Sequence, residues 1–173
     1  AASEAMTPPL GPSADRAQRG SATSPVAQRT STVLVFSHRP EVREAIITAV
    51  GRRPAPDVGR VRFLEVAGIA EVLAAADAGQ IDLAILDGEA QPTGGMGVSR
   101  QLKNEIDDCP PIIVTVRRRD DRWLATWSQA DAVLVHPLDP LTAAETVADV
   151  LRRAQADDAD GVDAGGAHAL DRG

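Results

Sequence analysis

Four side chains have the types needed for chemistry at a metal or a polar bond: Ser37, His38, Asp87 and His136. Two histidines and one carboxylate are a ligand set that transition metals use. Serine, histidine and aspartate are also the residue types of a hydrolytic triad. Because neighbouring side chains at a strand end point to opposite sides, a relay between Ser37 and His38 is disfavoured. The alternative to both sites is a hydrogen-bonded, pH-sensitive network of loop side chains.

Composition excludes other kinds of site. The 173 residues include one cysteine, Cys109, which allows neither an intramolecular disulfide nor a cysteine-based zinc site. The net charge of −7 argues against nucleic-acid binding. No apolar run approaches the ~20 residues that span a bilayer, and the N-terminus lacks the basic-then-apolar pattern of a secretory signal. We therefore expect a cytoplasmic protein that does not insert into a membrane, and no motif predicts a cofactor.

Between residues 31 and 153, short apolar runs alternate with segments of helical periodicity. Strands buried on both faces are predicted at 33–36, 83–86, 112–116 and 132–135. The mixed segment 61–66 is typical of an edge strand. Each strand is followed by a predicted helix, and in most of them apolar residues lie three and four positions apart. Five such units predict a doubly wound, flavodoxin-like parallel sheet with strand order 2-1-3-4-5.

The two ends of the chain differ from this middle segment. Residues 1–30 consist mainly of small and polar residues, and residues 154–173 of alanine, aspartate and glycine. Neither segment has enough apolar surface to offset its chain entropy. We expect a disordered N-terminal tail at 1–30, one domain at 31–153, and a disordered acidic C-terminal tail at 154–173.

In a doubly wound sheet the functional crevice lies beyond the carboxyl ends of the strands. The polar residues predicted at these ends are Ser37, His38, Asp87, Thr115, Arg117, Arg118, Arg119 and His136, which precedes Pro137. The fold therefore brings the chemistry-bearing side chains to one edge of the sheet.

The order of these residues resembles the receiver domain of two-component response regulators over the whole of 31–153. Asp87 falls where receivers carry the phosphoaccepting aspartate, and His136-Pro137 falls where they carry a lysine followed by a proline. Pro92 with Gly94-Gly95 resembles the proline-glycine loop after that aspartate. The resemblance implies a receiver fold with a phosphoacceptor-like position at Asp87.

The sequence departs from the receiver pattern at most of the phosphorylation positions. Ser37 and His38 stand where receivers place two acidic residues that hold magnesium, and His136 replaces the lysine. The hydroxyl position of the fourth strand is Thr115 or Val116, depending on register. Magnesium prefers hard oxygen ligands, and histidine is mostly neutral near pH 7. These departures favour a protein that acts without phosphorylation.

The tryptophans indicate a second functional region. Trp123 and Trp127 lie four residues apart on one predicted helix and therefore share a face. They either belong to the core or form a partner-binding face, because tryptophan and arginine are enriched in interface hot spots. Receivers commonly signal through the fourth helix, fifth strand and fifth helix, so the resemblance implies the second interpretation. The candidate partner face comprises Arg117, Arg118, Arg119, Arg122, Trp123 and Trp127. The alternative for the arginine run is a solvated loop whose charge is balanced by Asp120 and Asp121.

Segments 36–43 and 51–54 are similar to orphan receiver-like proteins of actinobacteria that are associated with respiratory complex I. That similarity implies an accessory subunit without a redox centre, held by protein contacts on the cytoplasmic side of the inner membrane. We therefore expect a protein-binding module and not an enzyme. The alternatives are a single-domain response regulator that accepts phosphate at Asp87 and a metal-dependent enzyme.

Overall fold

A computed structural model describes residues 29–90, 94–121, 123 and 128–172, without the side chains of 120 and 158–172. The strands are β1 (Thr30–Phe36), β2 (Arg60–Val66), β3 (Leu83–Asp87), β4 (Ile112–Val116) and β5 (Ala132–Val135). The α-helices are α1 (Pro40–Val50), α2 (Ile69–Asp77), α3 (Gly95–Glu105) and α4 (Pro140–Arg172), and a 3-10 helix spans Arg119–Asp121.

The five strands form one parallel sheet in the order β2-β1-β3-β4-β5. This order confirms the predicted doubly wound fold and places β2 at an edge, as its mixed pattern indicates. All residues of β3 and β4 are buried. Phe36 pairs with Leu86, and Asp87 pairs with Thr115. The carboxyl ends of β1, β3 and β4 therefore meet at one edge of the sheet.

The core consists of two apolar layers, one on each face of the sheet. Alternate residues of the central strands supply both layers because successive side chains point to opposite faces. Val35 and Ile85 pack with α1 and α4, whereas Phe36 and Leu86 pack with α2 and α3. Burial on both faces accounts for the continuous apolar runs in the sequence.

Residues that favour helix ends mark the boundaries of α1 and α4. Pro40 is the first residue of α1, and Gly51 ends that helix with a φ of 75°. At the start of α4, the carboxylate of Asp139 accepts hydrogen bonds of 2.9 Å from the main-chain N–H and the hydroxyl of Thr142. The N–H bond is the main reason that the pKa of Asp139 is lowered. Asp139 is thus the N-cap of α4.

The helix α4 continues to Arg172, past the predicted domain boundary at 153, where composition favours a tail without regular structure. Alanine has the best helix propensity of all residues, so this alanine-rich backbone accommodates helical geometry. The predicted N-terminal tail lies outside the described residues as far as residue 28. No described helix is both long and apolar enough to cross a membrane.

Candidate functional site around Asp87

Asp87 is the last residue of β3, and it is 1% exposed. Its carboxylate accepts hydrogen bonds on both oxygens. The Ser37 hydroxyl donates to Oδ2 at 2.7 Å, and the Glu89 main-chain N–H donates to Oδ1 at 2.8 Å. Buried polar atoms need hydrogen-bond partners, and both oxygens of this carboxylate have one. The buried carboxylate is therefore held by neighbours from two loops.

Arg39 adds a positive charge to this site. Its Nη2 lies 3.7 Å from Asp87 Oδ2, and its side chain is 30% exposed. The sequence indicates Arg39 only as the residue before α1, so this ion pair is a finding of the structure. The sequence feature that could have indicated this ion pair is the position of Arg39. It lies two residues after Ser37, at the same edge of the sheet as Asp87.

The backbone around Ser37 is held by three hydrogen bonds. The Ser37 N–H donates to the Val66 carbonyl at 3.3 Å, and the Ser37 carbonyl accepts from Arg43 Nη1 at 2.7 Å. The Arg39 N–H donates to Ser37 Oγ at 3.1 Å. The fully buried hydroxyl thus donates to a carboxylate and accepts from a main-chain amide. This arrangement orients Asp87 and leaves Ser37 without a histidine base, so the structure does not form a hydrolytic triad there.

Thr115 occupies the hydroxyl position opposite Asp87. The register pairs Thr115 with Asp87, which resolves the choice between Thr115 and Val116. The Thr115 side chain is fully buried, and its Oγ1 has no hydrogen-bond partner among the described residues. Its carbonyl accepts from the Gly88 N–H at 2.8 Å. Burying a hydroxyl without a partner costs stability, so this atom is a feature to be explained by function or solvent.

His136 follows β5, and its N–H donates to the Val116 carbonyl at 2.8 Å. The peptide bond to Pro137 is cis. Burial lowers the pKa of the half-buried imidazole; Asp87 opposes this shift, and Arg117 and Arg39 add to it. A lowered pKa keeps His136 neutral near pH 7. His136 therefore does not replace the positive charge of the receiver lysine.

The structure does not support a metal at this edge. His38 is exposed, and no group of three His, Cys, Asp or Glu side chains in the described part of the chain could hold a metal ion. The proposed His38–Asp87–His136 site is thus not formed. The magnesium ion that the receiver fold implies fits no better. The Ser37 hydroxyl and the Arg39 cation already lie beside Asp87 Oδ2, and a divalent cation there would face that guanidinium.

The arginine-rich loop after β4 is exposed, in contrast to Asp87. Arg117, Arg118 and Arg119 are exposed, and Trp123 is 68% exposed and therefore outside the core. Arg122 and Trp127 lie outside the described residues, as does Pro92. Two grooves flank the His136-Pro137 bond. Arg117 lines a groove of 570 Å³ on one side, and Arg119 lines one of 390 Å³ on the other.

No family model matches this chain. A similar curated relative is an uncharacterized response regulatory protein of Mycobacterium tuberculosis, found in two strains. It is 49% identical over 120 residues, which are 69% of this chain and 90% of the relative. Such identity over nearly the whole relative is far above the level that identifies a family.

Solved structures share the fold at lower identity. The chemotaxis response regulator CheY4 of Vibrio cholerae matches with a TM-score of 0.56 and 18% identity, over 70% of this chain and 99% of CheY4. A LuxR-family two-component response regulator from an Aurantimonas species matches with a TM-score of 0.60 and 19% identity, over 72% of this chain and 86% of that chain. With the strand order, the place of Asp87 and the mycobacterial relative, these matches lead to one conclusion: the chain belongs to the response-regulator receiver family.

Proposed function

We propose that this protein is an atypical receiver that binds a protein partner without being phosphorylated. The observation that carries the proposal is the occupation of Asp87. Both carboxylate oxygens accept hydrogen bonds, Arg39 lies beside one of them, and the side chain is 1% exposed. A group in this state is already neutralised and satisfied within the fold.

Phosphorylation would have to replace these contacts. Transfer to a carboxylate needs a free oxygen and cations that stabilise the charge developing on the phosphoryl group. Asp87 Oδ2 is shared by Ser37 and Arg39, and Ser37 supplies no charge where receivers place an acid for magnesium. These contacts support a receiver fold retained for binding and not for phosphotransfer.

The candidate partner face supplies the binding chemistry. Arg117, Arg118, Arg119 and Trp123 are exposed. Three positive charges beside an indole match an acidic protein surface with an apolar or cationic contact for the ring. Because Arg117 and Arg119 also line the grooves beside His136 and Pro137, the proposed contact area extends over the end of β5.

The resemblance in segments 36–43 and 51–54 proposes a particular partner, respiratory complex I on its cytoplasmic side. The protein would then be a peripheral accessory subunit that reaches the membrane through protein contacts. The mycobacterial origin of the relative supports looking there first, since the resemblance concerns actinobacterial proteins.

A phosphoaccepting single-domain response regulator is the second candidate. It is favoured by two buried polar atoms, Thr115 Oγ1 and Arg39 Nε, which have no partner among the described residues. Both are donors that a phosphoryl group on Asp87 could use. The relative's description as a response regulatory protein is consistent with this candidate.

Affinity purification of the tagged full chain from native membranes and from extract tests the proposal. We expect wild type and Asp87→Asn to retain the same partner in equal amounts. Trp123→Ala should retain about tenfold less, because a hot-spot tryptophan contributes on this scale. Subunits of complex I among the retained proteins would support the specific partner. A partner that Asp87→Asn loses and Trp123→Ala keeps would contradict the proposal.

A further inference from the structure

The edge strand β2 carries main-chain groups that no described strand covers. In a parallel sheet the N–H and C=O of one residue point to one side, and those of the next residue to the other. The Val66 carbonyl bonds to Ser37, which follows β1, so Val66 faces inward. By alternation Val61, Phe63 and Glu65 face outward. The Arg52 carbonyl accepts from the Val61 N–H at 2.7 Å, which confirms this alternation.

The open part of this edge therefore consists of the amide groups of Phe63 and Glu65. At about 3.3 Å per residue, the segment from Val61 to Glu65 has room for an added strand of about five residues. A groove of 680 Å³ runs beside it, and its lining combines the apolar side chains of Ile47 and Phe63 with Arg52, Arg60 and Arg62. An added strand would bond to the edge amides and place alternate side chains in this groove.

The edge is also basic. Arg60 and Arg62 are exposed and lie two residues apart, so their side chains share one face of β2. Arg62 Nη2 reaches the Thr32 hydroxyl at 3.3 Å, and none of the described acidic side chains pairs with Arg60 or Arg62. Glu65 lies on the groove face and is bound by Arg43 at 3.1 Å. The free charge at this edge is therefore positive.

We propose that the β2 edge binds an extended acidic segment of a partner protein as a sixth strand. The segment alternates acidic residues, which face Arg60 and Arg62, with apolar residues, which enter the groove beside Phe63. A second copy of this chain is a poorer occupant, because its β2 strand carries no acidic residue on the face of Arg60 and Arg62 that could pair with them. This surface lies at the opposite edge of the sheet from β5, so the inference does not depend on the proposed function.

A fluorescent, end-blocked peptide of about seven residues, with glutamate alternating with valine, tests the proposal. We expect binding by the full chain, no binding of a lysine-for-glutamate peptide, and much weaker binding of a peptide with the same composition and grouped glutamates. Arg60→Glu/Arg62→Glu should weaken binding about tenfold, since each opposite-charge cross-strand pair contributes a few-fold. Arg153→Glu on α4 is the matched control and should bind like wild type. Arg60→Gln/Arg62→Gln replaces the double reversal if that variant is unfolded by circular dichroism.

Amide hydrogen exchange gives the structural readout. Peptide binding should slow exchange at Phe63 and Glu65 and leave Arg62 and Leu64, whose amides face β1, unchanged. Equal binding of the lysine or grouped peptide would overturn the proposal, as would protection confined to the loop at Arg117–Arg119. Protection of β2 that rises with protein concentration in the absence of peptide would assign the edge to a second copy and also overturn it.

Discussion

The Asp87 site and the arginine–tryptophan loop lie at the ends of neighbouring strands, β3 and β4. Polar side chains are buried and hydrogen-bonded at the first and exposed at the second. Asp87 is 1% exposed, and its carboxylate is bound by a hydroxyl, an amide and a guanidinium. The loop exposes three arginines and Trp123, which is 68% exposed. Polar groups that are satisfied internally stabilise a fold, whereas exposed cationic and aromatic groups are available to a partner. This contrast supports the proposed function, in which the end of the sheet around Asp87 is structural and the loop binds the partner.

We expect the largest loss of stability when the buried carboxylate of Asp87 is removed. Asp87→Ala removes the acceptor for Ser37 and Glu89 and leaves Arg39 without its counter-ion. We expect the free energy of unfolding to fall by about 3 kcal/mol, because breaking a buried, hydrogen-bonded ion pair leaves its partners unsatisfied. Urea unfolding followed by circular dichroism measures the change.

An exposed ion pair provides the control for that prediction. Asp57 binds Arg152 at 2.6 Å, and both side chains are largely exposed. Exposed pairs contribute little because water and salt screen them. The unfolding midpoint of Asp57→Ala should be close to that of wild type. Equal midpoints for Asp87→Ala and Asp57→Ala would contradict a structural role for Asp87.

A close backbone contact beneath Asp87 gives the next effect. A Cβ added to Gly95 would lie 2.6 Å from the Asp87 carbonyl oxygen, a main-chain atom that cannot move cheaply. We expect Gly95→Ala to destabilise the fold by about 2 kcal/mol through overpacking. At Gly68 a Cβ would meet only the end of the Glu71 side chain at 3.6 Å. Gly68→Ala should therefore be nearly neutral in the same urea titration, and a similar loss for both variants would contradict this account.

A substitution in the exposed loop should reduce partner binding and leave stability nearly unchanged. We expect Trp123→Ala to change the free energy of unfolding by no more than about 0.5 kcal/mol, as is usual for surface substitutions. Its retention of the partner should nevertheless fall. Leu141→Ala, in the first turn of α4, replaces another exposed apolar residue that lines none of the three grooves, and it should retain the partner. Unfolding of Trp123→Ala at a markedly lower urea concentration would place this tryptophan in the core.

The smallest effect that we expect is the dependence of the free energy of unfolding on pH through His136, which lies between the two regions. Burial lowers the pKa of His136 below its ordinary value of 6.5, so the unfolded chain binds a proton more readily than the folded chain. The free energy of unfolding then rises with pH in this range. The contribution of His136 is complete above about pH 6.5 and is lost as the pH falls below it. His136→Asn should show a smaller loss of stability between about pH 7.5 and about pH 5.5; an unchanged loss would contradict this role.

The sequence predicts the sheet well and the site only in part. Apolar runs locate β3, β4 and β5 because burial on both faces removes the polar alternation. The place of Asp87 follows from the same pattern. The ion pair between Arg39 and Asp87 joins residues far apart in sequence. No local pattern indicates that Arg39, and not the nearby Arg43, lies beside the carboxylate. Whether Trp123 is buried or exposed is likewise a tertiary property, and helical spacing alone leaves both interpretations open.

The strand register and the extent of the last helix are also not determined by local sequence patterns. The sequence leaves Thr115 and Val116 as alternatives, because a shift of one residue exchanges the two faces of a strand. Pairing with Asp87 selects Thr115. Beyond residue 153, the scarcity of apolar residues disfavours packing against the domain, whereas the alanines favour helical backbone geometry. The first preference concerns tertiary packing and the second concerns local conformation. The separation of 154–173 from the packed domain stays a prediction.

Intact-mass measurement after incubation with acetyl phosphate and magnesium tests the central claim most directly. A receiver that accepts phosphate is treated in parallel as the positive control. We expect no phosphoryl adduct on this protein, because the Asp87 carboxylate is buried and already bound by Ser37, Glu89 and Arg39. A phosphoryl adduct on wild type that is absent from Asp87→Asn would contradict the account and establish Asp87 as a phosphoacceptor.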